Sequence, residues 1–101
     1  MNDTTSGRWA VMFGRAAARR VIAADPARVR GCRDLAVTTR RVFDEVSRLV
    51  EGDGDGCGAD AEFCEGVLAC ALHNPWEFSA GVEAYVDAYL RGAALCSTRI
   101  Q

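Results

Sequence analysis

Apolar residues recur every three or four positions along most of the chain, and no stretch shows the strict alternation of a strand. This spacing predicts four amphipathic helices, over about 6–23, 26–50, 59–73 and 75–96. The clearest period is in the second segment, with Val29, Cys32, Ala36, Thr39, Phe43, Val46 and Val50 inward, flanked by Leu35, Val42 and Leu49. The sequence therefore predicts an all-α fold, a small single-domain bundle of about four helices over residues 1–101.

The other three segments also have an apolar face. Their predicted inward residues are Trp9, Met12, Phe13, Ala16, Ala17 and Val21 in the first, Phe63, Cys64, Val67, Leu68 and Ala71 in the third, and Phe78, Val82, Tyr85, Val86, Tyr89 and Leu90 in the fourth. Each face spans the width that a helix buries against a core.

Capping residues and glycines indicate where these helices end. Asp25 before Pro26 predicts an N-cap followed by proline at the first helical position. Asn74-Pro75-Trp76-Glu77 predicts a second helix start with a capping box. The β-branched run Val37-Thr38-Thr39 leaves open whether 26–50 is one helix or breaks near Thr38. Residues 51–58 alternate glycine with mostly acidic residues and predict a loop.

Charge divides the chain into two halves. All 12 basic residues are arginine. Residues 1–50 hold ten arginines against five acids, a net charge of +5, and residues 51–101 hold two against nine, a net charge of −7. The basic charge therefore belongs to the first two predicted helices, and the acidic charge begins at the 51–58 loop. Complementary potentials of this kind steer association and fix its orientation.

The size, charge and motifs favour a binding protein. With one histidine and no nucleophile or phosphate-loop motif, we expect no enzymatic activity. We expect a small helical interaction or regulatory module, of a kind that viruses and phages encode, that binds a protein partner or itself. The candidate partner-binding residues are Arg15, Arg19, Arg40, Arg41, Trp76 and Tyr85, since Arg, Trp and Tyr are enriched at interface centres.

The loop after the second helix offers a candidate ion site. Counted as a loop of about twelve residues from Glu51, it places Asp53 and Asp55 at positions three and five, a glycine at six and Glu62 at twelve, with amphipathic helices on both sides. This stretch resembles an EF-hand, and the resemblance implies Ca²⁺ bound by Glu51, Asp53, Asp55 and Glu62. The alternative is a solvated acidic linker, which would hold no cofactor.

Nucleic acid is a second alternative partner. Arg28 to Val50 has the outline of a helix-turn-helix, with Thr38-Thr39-Arg40-Arg41 opening the reading helix. Because the net charge of the chain is −2, nucleic acid could bind only to a basic face that is separated from the acidic residues. For this reason we rank a protein partner above nucleic acid.

The cysteines and the apolar runs indicate the cellular compartment of the chain. The chain has five cysteines, an odd number, and no secretory signal pattern, so we expect free thiols in a reducing cytoplasm, bacterial or that of an infected host cell, and no secretion. The run 9–14 is too short for a membrane span, so we expect no membrane partner. Cys70 and His73 form a tight pair, but a zinc site needs four convergent ligands.

Overall fold

The computed structural model describes the backbone of residues 3–51 and 61–100 and the side chains of 7–50 and 62–92. This part of the chain forms five α helices and contains no strand: α1 (Asp3–Ala24), α2 (Pro26–Gly31), α3 (Leu35–Glu51), α4 (Ala61–His73) and α5 (Pro75–Ile100). The predicted all-α bundle is confirmed. Four of the helices are long, and α2 is a single short segment of 6 residues.

The central contact of the bundle is between α1 and α5, which run side by side in the same direction. Gly7 of α1 packs on the Glu77 side chain, and Gly14 and Gly81 meet two turns further along α1 and one turn further along α5. At this crossing the two backbones touch, because glycine has no Cβ to hold them apart. A Cβ placed on Gly14 would lie against the Phe78 carbonyl oxygen and 3.1 Å from the Val82 nitrogen.

All five helices contribute residues to the hydrophobic core. Its buried members are Ala17, Ala18, Ile22, Val29, Val42, Val46, Val67, Phe78, Val82 and Val86. Phe78 is the largest fully buried side chain, and its ring lies 6.0 Å from that of Phe43. On the other side of α1, the Phe13 ring packs over Gly66 of α4 and lies 5.9 Å from the Phe63 ring. Every predicted inward residue of the last segment is buried or half-buried, as expected.

The predicted segment 26–50 is two helices. It breaks at residues 32–34, ahead of the β-branched run at 37–39, which lies within α3. Asp34 sets the break because its carboxylate accepts hydrogen bonds from the backbone nitrogens of Ala36 (2.9 Å) and Val37 (3.3 Å), so it serves as the N-cap of α3. The buried Thr38 hydroxyl then donates to the Cys32 carbonyl oxygen at 2.7 Å and fixes α2 relative to α3.

The two predicted helix starts after Asp25 and Asn74 are confirmed. The Asp25 carboxylate accepts from the Arg28 nitrogen at 3.4 Å, and Pro26 occupies the first turn of α2. Asn74 alone separates α4 from α5. Its nitrogen donates to the Cys70 carbonyl, and its own carbonyl accepts from the Phe78 nitrogen at 2.9 Å. One residue therefore ends one helix and begins the next.

Four predicted inward residues are wrong, since Trp9, Met12, Ala36 and Leu68 are exposed. Apart from Ile22, the buried residues of α1 are small, namely Ala10, Gly14, Ala17 and Ala18, and small residues allow the close approach of α5. The bulkier Trp9 and Met12 are turned outward as a result. Ala36 lies in the exposed first turn of α3, and Leu68 lies on the outer side of α4.

Candidate interaction surfaces

The four candidate arginines are all exposed, but they do not form one patch. Arg15 and Arg19 lie one turn apart on α1. Arg40 of α3 pairs with Asp44 one turn further along, at 3.4 Å. The neighbouring Arg41 lines a groove that Arg15 and Arg19 do not reach. The predicted basic face is therefore split between the outer side of α1 and one side of α3.

Arg41 shares its groove with two arginines that the sequence did not single out, Arg20 and Arg28. The groove has a volume of about 330 Å³ and lies between the end of α1, α2 and the side of α3 that runs from Thr38 to Leu49. Arg20 and Arg15 are five positions apart, about 140° around a helix, which explains why only one of them reaches the groove. No spacing in the sequence reveals this set, because its members come from three helices.

Trp76 and Tyr85 differ sharply in exposure. Trp76, in the first turn of α5, is 82% exposed, whereas Tyr85 is half-buried and packs against the core. Leu72, on the other side of Asn74, is 71% exposed. We call Leu72 and Trp76 the α4–α5 corner. Leu68, one turn before Leu72 on the same side of α4, is also exposed (42%). Sequence reasoning placed Leu68 in the core and missed Leu72.

Most of the candidate calcium site lies outside the described residues, namely Asp53, Asp55 and the side chain of Glu51. Glu62 is exposed in the first turn of α4. The helices α3 and α4 do flank this segment, as the resemblance to an EF-hand requires. The calcium prediction therefore stays a prediction.

The Cys70–His73 pair has no further metal ligands around it in the described part of the chain. No group of three or more His, Cys, Asp or Glu side chains there converges as a metal site would require. Cys70 is half-buried, and this burial raises the pKa of its thiol above the usual range because the thiolate is desolvated. A raised pKa reduces the thiolate fraction, the form that binds metals and acts as nucleophile.

The proposed reading helix is placed unfavourably for base contact. Of Thr38-Thr39-Arg40-Arg41, Thr38 is 1% exposed and Thr39 is half-buried. Arg40 is engaged with Asp44, so Arg41 alone is exposed without an ion pair to another described side chain. DNA binding stays a prediction that these four residues do little to support.

Ion pairs do not join the two oppositely charged halves where side chains are described. The three pairs seen there, Arg40–Asp44, Arg48–Glu45 and Arg91–Asp87, each lie within one helix. Across the described residues, no helix is both long and apolar enough to cross a membrane. No protein-family model, curated protein or solved structure matches this chain.

Proposed function

We propose that this chain is a non-enzymatic helical interaction module, which binds a protein partner or a second copy of itself. The observation that carries the proposal is the α4–α5 corner, where Leu72 and Trp76 are the two most exposed large apolar side chains described. They lie two residues before and two residues after Asn74, in the last turn of α4 and the first turn of α5.

The composition of α4 supports binding at this corner. Apolar residues surround this helix on nearly all sides, in the sequence Ala-Glu-Phe-Cys-Glu-Gly-Val-Leu-Ala-Cys-Ala-Leu-His. A helix of this kind is usually buried on more than one face. Here one face packs on Phe13 and the core, while the side that bears Leu68 and Leu72 is exposed. A protein surface covering that side would bury it.

Trp76 is suited to anchor such a contact. Single exposed apolar residues are common on protein surfaces and need no explanation. An exposed tryptophan four positions from an exposed leucine is different, because tryptophan dominates the binding energy of many interfaces and prefers a desolvated pocket. Burying both side chains would contribute about 2–3 kcal/mol each.

The division of charge between the two halves of the chain would orient a partner at this contact. Arg15 and Arg19 are exposed on α1, and Glu62, Glu65 and Glu83 are exposed on α4 and α5. Because the ion pairs described lie within single helices, these side chains are left to meet an outside surface. A second copy supplies the opposite sign, as does any partner with a charged face.

The test is a double variant that removes the apolar corner without harming either helix. Leu72→Lys adds a cation to the last turn of α4, and Trp76→Glu adds an anion to the first turn of α5, both of which the helix dipoles favour. The matched control is Val37→Glu, which changes another exposed apolar residue, in the first turn of α3. Sedimentation velocity across micromolar concentrations, and capture of partners from cell extract, are compared for all three proteins.

We expect the parent and Val37→Glu to self-associate or to retain the same partner, and the corner variant to lose at least tenfold in affinity with unchanged helicity. A parent that stays monomeric and retains nothing contradicts the proposal, as does a corner variant that binds like the parent. Native mass spectrometry of the parent and of Glu62→Ala, each with and without calcium, tests the ion site separately. Retention on DNA at low salt, lost in Arg40→Ala with Arg41→Ala, would instead favour the nucleic-acid alternative.

A further inference from the structure

The groove between α1, α2 and α3 has apolar walls. Its apolar lining includes Val21 and Ala24 of α1, Val29 of α2, and Val42 and Leu49 of α3. Its volume of about 330 Å³ is at the lower end of the range of small-molecule sites, which runs from about 300 to 1,000 Å³. The groove is open to solvent along one side because Ala24 and Leu49 are both exposed.

The groove exists because the second predicted helix is broken. Asp34 caps α3 and starts it in a new direction, while the Thr38–Cys32 hydrogen bond holds the end of α2 beside the first turns of α3. Val29 then reaches the core as the buried residue of α2. The small side chain of Ala24 at the end of α1 leaves the space between the three helices unfilled.

Three arginines and two carboxylates line this apolar space, a net charge of +1. Arg28 and Arg41 both line the groove, and neither forms an ion pair with another described side chain. The two carboxylates that also line it are already engaged, since Asp25 caps α2 and Glu45 binds Arg48 at 3.2 Å. Arg20 is engaged as well, because its guanidinium stacks 4.4 Å from the centre of the Phe63 ring.

We propose that this groove binds a medium-chain carboxylate, an unbranched apolar tail with one anionic head. The tail would lie along Val21, Val29 and Val42, and the head would accept hydrogen bonds from Arg28 and Arg41. Guanidinium groups suit this head because their donors match the two oxygens of a carboxylate. This site is separate from the α4–α5 corner and does not depend on the interaction proposed there.

A small ligand fits the groove better than a helix of a partner protein. A docked helix contacts a groove through residues spread over two turns or more, about 11 Å. Two turns of a helix 10–12 Å across with its side chains occupy roughly 1,000 Å³. The groove's volume of about 330 Å³ is much smaller than that and within the size range of small-molecule sites.

The experiment is isothermal titration of the full chain with octanoate, decanoate and dodecanoate, each below its micelle concentration, and with decanol as the uncharged analogue. We expect the dissociation constant to fall up to about fourfold for each methylene group buried. Decanol should bind about tenfold more weakly than decanoate, because it forms no charged hydrogen bonds to the arginines.

Two pairs of variants locate the site. Arg41→Gln should weaken decanoate about tenfold and leave decanol unchanged, while Arg40→Gln, which alters an arginine outside the groove, should change neither. Ala24→Leu fills the groove and should abolish binding of both ligands. Its control is Ala23→Leu, an exposed neighbour that does not line the groove.

Three results would overturn the proposal. These are no binding of any chain length to the folded parent, equal binding of decanoate to the Ala24→Leu and Ala23→Leu variants, and equal binding of decanoate and decanol. Circular dichroism and melting of each variant confirm that a loss of binding is not a loss of fold. If an acidic amphipathic peptide binds the groove and the alkyl carboxylates do not, the site takes a protein segment and the carboxylate assignment is wrong.

Discussion

The middle and the end of α1 pack in opposite ways. At the middle, Gly14 meets Gly81 of α5 so closely that the two backbones are in contact. Near its end, Val21 and Ala24 stand apart from α2 and α3 and leave a groove of about 330 Å³. One helix therefore takes part both in a contact between backbones and in an open groove.

The difference comes from side-chain size and helix length. At the crossing, glycine on both helices removes the Cβ atoms that normally keep helix axes 8–10 Å apart. At the groove, α2 is too short to cover the end of α1, and charged side chains such as Arg28 stay in solvent. The crossing is thus suited to stability and the groove to binding, so changes at the two places should have different consequences.

The largest expected effect is at the crossing. A Cβ on Gly81 would collide with the Val11 carbonyl group, whose carbon would lie 3.0 Å away. Backbone atoms cannot rotate aside as a side chain does, so the helices must separate. We expect Gly81→Ala to lower the free energy of unfolding by about 3 kcal/mol, measured by urea denaturation.

Gly92 is the matched control on the same helix. Nothing lies within 4 Å of a Cβ added there, and its backbone has no positive φ. Gly92→Ala should therefore stabilise α5 by about 0.5–1 kcal/mol, since alanine loses less conformational entropy on folding. If the two substitutions had equal effects, the close crossing of α1 and α5 would be wrong.

The next largest effect on stability is expected at Thr38, whose buried hydroxyl differs in hydrogen bonding from that of its neighbour Thr39. Thr38 donates to the Cys32 carbonyl, whereas the Thr39 hydroxyl is buried with no hydrogen-bond partner. Thr38→Val should cost about 1–2 kcal/mol because it leaves the Cys32 carbonyl unpaired. Thr39→Val should be neutral or stabilising, because it removes a polar group that is buried without a bond.

Urea denaturation of both valine variants tests whether the Thr38–Cys32 hydrogen bond stabilises the position of α2 beside α3. Valine has nearly the shape of threonine and a similar helix propensity, so the comparison isolates the hydroxyl group. Equal losses of stability in the two variants would contradict the role assigned to the Thr38–Cys32 bond.

The smallest effect is expected at the helix break. Asp34→Ala removes the acceptor for the Ala36 and Val37 nitrogens and should cost about 1 kcal/mol. Asp34→Asn keeps a side-chain oxygen acceptor and should retain most of the stability, measured by the shift in melting temperature. An alanine variant as stable as the parent would mean that the break has another cause.

The sequence predicted the fold class and the inward face of α5, because a 3.6-residue period depends on local pattern alone. It placed the inward face of α1 wrongly, since Trp9 and Met12 are apolar but the crossing with α5 selects small residues. It also left the break in 26–50 undecided, because propensity pointed to Val37-Thr38-Thr39 while the capping bonds of Asp34 decided the position.

The candidate surfaces were less predictable than the fold. Trp76 was predicted as a partner-binding residue from its residue type, and its exposure is consistent with that prediction. Leu72 was not predicted, because an apolar residue on a helix as apolar as α4 is expected to be buried. The groove arginines Arg20, Arg28 and Arg41 come from three helices, and no spacing along the chain brings them together. Surfaces assembled from several elements depend on tertiary packing, which periodicity does not encode.

The central claim is that the α4–α5 corner binds a protein surface, and Trp76 itself can report on it. The chain has two tryptophans, so Trp9→Phe leaves Trp76 as the single emitter. The most direct measurement is acrylamide quenching of its fluorescence as protein or partner concentration rises. The account predicts strong quenching of the free chain, because Trp76 is 82% exposed, and a marked fall in quenching on association. Quenching that stays unchanged while the mass increases would place the interface elsewhere and contradict the claim.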